Sequence, residues 1–240
     1  ESGISVKAIF SPEHGFNGLL GAGEKNEDGV DLLTGAKIYS LYGNNKKPKP
    51  EMFNNIDVLV FDMQDIGVRY YTYQSTMRLV MEVAAAENIP FIVLDRVNPL
   101  GKDIAGPILD LDFSSFVGMH PIPILHGLSI GELANMIDGE GWLGDGVSID
   151  LTIVPYKGKI NTSIKNRAFI PFPSPNMPSL ETARLYSGLC LLEGTNISEG
   201  RGTDHPFRFI GAPWLDTREL INKLEEFRSP LDDYLVIDFI

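Results

Sequence analysis

The chain carries two continuous apolar runs with a helix-period segment between them, and this spacing constrains the fold more than anything else in the sequence. Ile56-Asp57-Val58-Leu59-Val60-Phe61-Asp62 is a β-branched and aromatic run closed by a carboxylate. Residues 73–87 then place Met77, Val80, Met81 and Ala84 at helical spacing, and residues 89–94 form a second apolar run that ends in Asp95-Arg96. Runs without polar alternation belong to strands covered on both faces. A strand–helix–strand unit of this length implies parallel neighbours joined by a right-handed crossover.

Other segments extend the alternation. Val6-Lys7-Ala8-Ile9-Phe10 reads as a strand, as do residues 147–155. Ser129 with Glu132 three residues on forms a capping box that opens a helix through about residue 137. Residues 179–192 and 217–227 carry helical patterns, the second amphipathic. Irregular stretches at 43–50, 98–123, 157–178 and 193–213 are longer than ordinary connections and read as functional loops. The expected architecture is α/β: a Rossmann-like parallel sheet flanked by helices, with long functional loops on one face. No G-x-G-x-x-G follows the first strand, so no dinucleotide cofactor is expected.

In such sheets, ligands gather beyond the carboxyl ends of the strands. Three polar clusters fall there. Ser11-Pro12-Glu13-His14-Gly15-Phe16 follows the first strand and sets two proton-transfer groups, Glu13 and His14, side by side. After the next strand, Asp62, Gln64 and Asp65 precede Arg69, Tyr70, Tyr71 and Tyr73, a mixture of forked polar groups and flat faces suited to sugars. Asp95, Arg96 and Asn98 follow the third. Later segments add His120, His126, Asn176 and a glycine-interleaved loop with Glu193, Asn196, Glu199 and Arg201. Structural readings compete throughout: Asp62 as a helix cap, Asp95-Arg96 as an ion pair, His126 as a cap, the tyrosines as packing.

Bulk properties exclude several classes. A net charge of −12 over 240 residues speaks against nucleic acid, although an arginine cluster can still meet a small anion. No apolar run nears the roughly 18 residues of a membrane span. The single cysteine, Cys190, lies among leucines and is expected to be a buried structural thiol. Paired metal-ligand spacings and a G-x-S-x-G elbow are both missing from the sequence, so no metal is expected and a serine triad is disfavoured.

The clusters Ser11–Gly15, Asp62–Tyr73 and Asp95–Gly101 occur in order with Pro173-Ser174-Pro175-Asn176-Met177-Pro178 and residues 193–203. Together they resemble the NamZ-like exo-β-N-acetylmuramidases over roughly residues 5–216. The resemblance implies hydrolytic removal of terminal N-acetylmuramic acid from the non-reducing end of peptidoglycan fragments. It implies a Rossmann-like catalytic domain over 1–216 and, at 217–240, a remnant of a largely absent auxiliary C-terminal domain. The strand with a Thr-Asn turn that usually opens such domains is expected to be missing, and Ala105 stands where a glutamate is expected. By the same resemblance Glu13 is catalytic and the other matched segments line its cleft.

Glu13 would protonate the leaving oxygen, with His14 beside it and Phe16, Tyr71 and Tyr73 as an aromatic floor. Glu199, Asp62 or Asp65 would be the second carboxylate, or the substrate's acetamido group would serve instead. One or more of Arg69, Arg96 and Arg201 would meet the lactyl carboxylate. Gln64, Tyr71, Tyr73, Asn98, His126, Asn176, Glu193 and Asn196 would complete the binding surface. The expected partner is a peptidoglycan-derived saccharide, with export implied by the resemblance and a homodimer left open. A sugar-binding protein without turnover and a metal-dependent hydrolase are the alternatives.

Overall fold

Two short sheets, rather than one, organise the first part of the chain. The computed structural model describes residues 3–144, 146–157 and 173–226. β1 (Ala8–Ser11), β2 (Gly29–Val30) and β3 (Lys37–Ser40) make the first sheet, with β3 central, parallel to β1 and antiparallel to β2. Ser11 is in register with Ser40, so the chain leaves β1 and β3 at the same level.

The expected strand–helix–strand unit makes the second sheet. β4 (Leu59–Phe61) leads through α1 (Tyr73–Ala86) to β5 (Phe91–Leu94). β5 lies parallel between β4 and β8 (Leu151–Val154), pairing Phe91 with Leu59 and Leu151. Between β5 and β8 the chain forms a small antiparallel ribbon, β6 (Ile104–Ala105) with β7 (Leu125–His126), and then α2 (Ile130–Gly139). α1 ends because Asn88 turns left-handed at φ 57° while the amide of Ile89 bonds back to Ala84.

The capping box that opens α2 is present in full. Asp95, at the carboxyl end of β5, binds the same helix end, accepting from Gly131 N at 2.8 Å and from Ser129 Oγ at 3.0 Å. A Cβ on Gly131 would lie 2.7–2.8 Å from Ile153 and Asp95, so this tight approach of helix to sheet requires glycine.

The main core lies between the second sheet and α1 and α2. Leu59, Phe61, Phe91 and Val93 meet Met77, Met81, Ala84, Leu133 and Ile137 there, together with Leu41 and Phe53. Each large side chain buried in it contributes about 1.5–3 kcal/mol. β4 differs from the expected two-sided burial: Leu59 and Phe61 are buried, but Val60 is 56% exposed. The reason is topological, because β4 and β1 are both edge strands of separate sheets. A cavity of about 900 Å³ runs between them, lined by Ile9, Pro12, Leu59, Phe61 and, at its carboxyl-end mouth, Arg96.

The chain divides into two compact units, Glu1–Gly188 and Leu189–Ile240, upstream of the boundary expected at 216/217. α3 (Leu180–Leu189) closes the first. The second contains a 3-10 turn at Cys190–Gly194, a bridge between Ser198 and Gly211, and α4 (Thr217–Glu226). Cys190 is half-exposed rather than buried, with its thiol 3.4 Å from Glu193 Oε1. Residues 158–172 of the expected 157–178 loop lie outside the described residues, as do 227–240 of the expected C-terminal remnant. No helix among the described residues is long and apolar enough to cross a membrane.

Candidate active site

Glu13 stands two residues past β1, and Tyr42 two residues past β3. Because Ser11 and Ser40 are in register, the two side chains meet: Tyr42 Oη donates to Glu13 Oε1 at 3.1 Å. The other oxygen, Oε2, accepts from Thr72 Oγ1 at 2.9 Å. No cation forms an ion pair with Glu13 among the described residues.

The loop that carries Glu13 is rigidly built. Asn26 Nδ2 donates to Ser11 O, Ser11 Oγ and Pro12 O at 2.9–3.1 Å. His14 takes a left-handed φ of 72°, uncommon for a residue with a Cβ. Its ring is buried, with Nδ1 donating to Leu20 O at 2.8 Å, while Leu20 N returns a bond to His14 O. The strained turn is thus held from both sides, a pattern that concentrates at functional sites. His14 props the loop in this arrangement, and Phe16 of the expected aromatic floor is half-exposed.

Tyr73 connects Glu13 to Asp65. Its ring meets that of His14 edge-on at 6.5 Å and that of Tyr71 at 5.0 Å, and its hydroxyl donates to Pro173 O. Burial pushes the Tyr73 hydroxyl up to about 12, with the negative charges of Glu13 and Asp65 adding to the rise. Tyr71 is raised well above the ordinary tyrosine value, chiefly by burial. Asp65 is fully enclosed; burial raises it to about 7 despite bonds from the Gly67 and Ile66 amides. Its Oδ1 has no hydrogen-bond partner among the described residues. Opposite Oδ2, at 3.8 Å, stands Nε2 of buried His126, whose Nδ1 accepts from Leu128 N. Burial lowers His126 to about 4, so at neutral pH the ring is uncharged and carries its proton on Nε2.

Several expected substrate-binding residues make framework bonds. Gln64 donates to Asp65 O and Val97 O, Asn98 to Leu128 O, and Arg69 to Pro107 O and Ile122 O. Arg96 is different: it pairs with Asp62 at 2.5 Å, both side chains are substantially exposed, and it lines the cavity mouth. Asn176 sits half-buried in the turn after Ser174.

The second unit has its own charged cluster. Arg201 binds Glu199 at 2.5 Å and Glu193 at 3.3 Å. Desolvation is the largest single effect and opposes both charges, but the hydrogen bonds and opposite charges together outweigh it, leaving Glu199 below and Arg201 above their ordinary values. Asn196 is exposed nearby in sequence. Among the described residues, no group of three His, Cys, Asp or Glu side chains is placed to hold a metal ion.

Tyr42 and Thr72 were missed in the sequence. For Tyr42 the signal was present: Lys37-Ile38-Tyr39-Ser40-Leu41-Tyr42-Gly43 is a strand-like run stopped by glycine. For Thr72 none existed, since a threonine before a helix reads as a cap.

The fold and the site define an α/β domain whose carboxyl-end loops gather a hydroxyl-bound glutamate, a buried aspartate and an aromatic wall. Residues 1–181 match the family model described as exo-beta-N-acetylmuramidase NamZ, N-terminal, and residues 184–234 match its C-terminal counterpart. The chain belongs to the NamZ exo-β-N-acetylmuramidase family. It is 47% identical over 230 residues to the peptidoglycan beta-N-acetylmuramidase NamZ of Bacillus subtilis (strain 168), covering 95% of this chain and 55% of that protein. Two crystal structures of DUF1343 family proteins from Bacteroides fragilis NCTC 9343 share the fold. One superposes with a TM-score of 0.78 at 38% identity, over 93% of this chain and 57% of that one. The other gives 0.73 at 42% identity, over 87% and 54%. The chain therefore spans about half the length of the relatives it matches.

Proposed function

We propose that this protein is a glycoside hydrolase that removes terminal N-acetylmuramic acid from the non-reducing end of peptidoglycan fragments, with Glu13 as general acid. The observation that carries this reading is the setting of Glu13: a carboxyl at a strand's carboxyl end, held by two hydroxyls on a strained and braced loop. The similarity to a peptidoglycan β-N-acetylmuramidase supports the substrate class.

In the proposed reaction Glu13 gives its proton to the glycosidic oxygen as the bond from that oxygen to the sugar's anomeric carbon breaks. The bonding electron pair leaves with the oxygen, a second group meets the developing positive charge on the sugar, and water then supplies the anomeric hydroxyl and the proton that restores Glu13. Asp62, Asp65 and the substrate's own acetamido oxygen are the candidates for that second group. Of the expected arginines, Arg96 is best disposed to meet the lactyl carboxylate, because its present partner Asp62 is exposed and exchangeable. A substrate found in the cell wall also supports export as the protein's destination.

The test is chromophore release from para-nitrophenyl β-N-acetylmuramide and from the N-acetylglucosaminide, for the wild type and Glu13→Gln. Release from the muramide alone, lost in the variant, is expected. Muramide binding without release in wild type would instead establish a sugar-binding protein, and undiminished release by Glu13→Gln would remove Glu13 from the chemistry.

A further inference from the structure

The two hydroxyls on Glu13 are not equivalent. Tyr42 Oη accepts from Gly23 N at 3.1 Å, so its lone-pair capacity is engaged and its proton points to Glu13 Oε1. Thr72 is the N-cap residue of α1, yet its side chain makes no cap hydrogen bond; the hydroxyl goes to Glu13 Oε2 instead. A threonine at this position ordinarily stabilises its helix by accepting from the helix's first amides. Here that contribution is given up. A threonine hydroxyl can also rotate, donating to a carboxylate and accepting from a carboxylic acid. An arginine or lysine in its place could hold only the ionised form.

We propose that Tyr42 and Thr72 are positioning residues that divide the work of Glu13 between its two oxygens. Tyr42 keeps Oε1 a permanent acceptor, and Thr72 serves Oε2, the oxygen that carries the proton and releases it to the leaving group. The proposal rests on the reading of Glu13 as general acid. When the proton has left, the anion faces the N-terminal end of α1, where the helix dipole favours negative charge. Among the described residues, Tyr73 of α1 also feels the charge of Glu13, and His14 follows Glu13 in its own loop. Burial keeps Tyr73 neutral through the working pH range, and its hydroxyl is committed to Pro173 O. The His14 ring is committed to Leu20 O.

The test uses the 240-residue chain with Tyr42→Phe, Thr72→Val and Thr72→Ser. The readouts are the muramide rate, thermal melting, and the carbon-13 NMR resonances of glutamate carboxyls at fixed pH, with Glu13 assigned by its loss in Glu13→Gln. Tyr42→Phe should lower kcat roughly 10- to 100-fold with KM little changed. Its Glu13 carboxyl resonance, followed at fixed pH, should move from the wild-type position, because that carboxylate loses a donor. Thr72→Val should lose activity similarly while melting within about 2 °C of wild type, since the hydroxyl caps nothing. Thr72→Ser should recover most of the rate. An unmoved Glu13 resonance in Tyr42→Phe, a serine variant as slow as the valine variant, or activity losses that simply follow melting would each overturn the proposal. If the wild-type chain releases no chromophore, the reading of the reaction fails separately. The Glu13 resonance then still decides whether Tyr42 holds Glu13.

Discussion

Asp65 and His126 face one another inside the first unit with opposite responses to burial, and both responses reach protein stability. Asp65 rises from 3.8 to about 7, so between about pH 4 and 7 the folded protein holds a proton that the unfolded chain has released. Its contribution is fully present below that window and lost as pH rises through it, a swing of order 4 kcal/mol. His126 falls from 6.5 to about 4, so its contribution is present above 6.5 and lost as pH falls toward 4. The two slopes oppose each other in the wild type. Asp65→Asn removes the first, and its stability relative to wild type should improve steadily from about pH 4.5 to about pH 7.5 in urea denaturation. Parallel curves would show that Asp65 does not titrate in this window. Arg96→Met should reduce the preference for N-acetylmuramic acid over N-acetylglucosamine roughly 10- to 100-fold in calorimetric binding, by loss of charged hydrogen bonds to the lactyl group. An unchanged preference would assign that anion to another residue. Glu13 and Asp65 were legible as sequence because each follows a readable strand. The bonds of Gln64 and Arg69 were not, because a polar loop residue bonds backbone or ligand according to contacts made far along the chain.

At the level of elements, legibility followed length and period. α1 and β5 stand where the spacing predicts them, because a fourteen-residue apolar stripe and a four-residue apolar run have few other ways to be buried. The two-residue strands β2, β6 and β7 carry too few side chains to show a period. β3 is different: Lys37 to Tyr42 is a strand-like run stopped by Gly43, but with serine and tyrosine among its apolar residues it is a weaker signal than β4 or β5. The weaker signal hid Tyr42, whose place beside Glu13 is a consequence of register alone. The capping box of α2 was readable, but the hold of Asp95 on the same helix end was not. Ser129→Ala removes both the cap on Glu132 N and the bond to Asp95, and should cost about 1–2 kcal/mol in chemical denaturation. A loss under about 0.3 kcal/mol would mean that Asp95 and Glu132 hold the helix end without it.

In the whole molecule, the family relationship accounts for the division after Gly188, since the two family models meet at residues 181–184. The parallel strand–helix–strand unit was evident from sequence, whereas the separation of the two sheets was not: an apolar run does not reveal which neighbour it will pair with. Hydrogen exchange should resolve that separation. Amides of β5, bonded on both sides and buried in the main core, should exchange slowest, and those of the edge strand β1 and of β2 at a lower opening free energy. Equal protection across both sheets would indicate a single cooperative block. The gap between β1 and β4 has one more consequence. Among the described residues no ladder bond joins the two sheets, which meet through side chains of the shared core, Phe10 against Phe53 among them. Glu13 and Tyr42 ride on one half of this seam, Thr72 on the other. The threonine bond therefore spans the seam, and any slippage along it would be felt first as a misaimed proton.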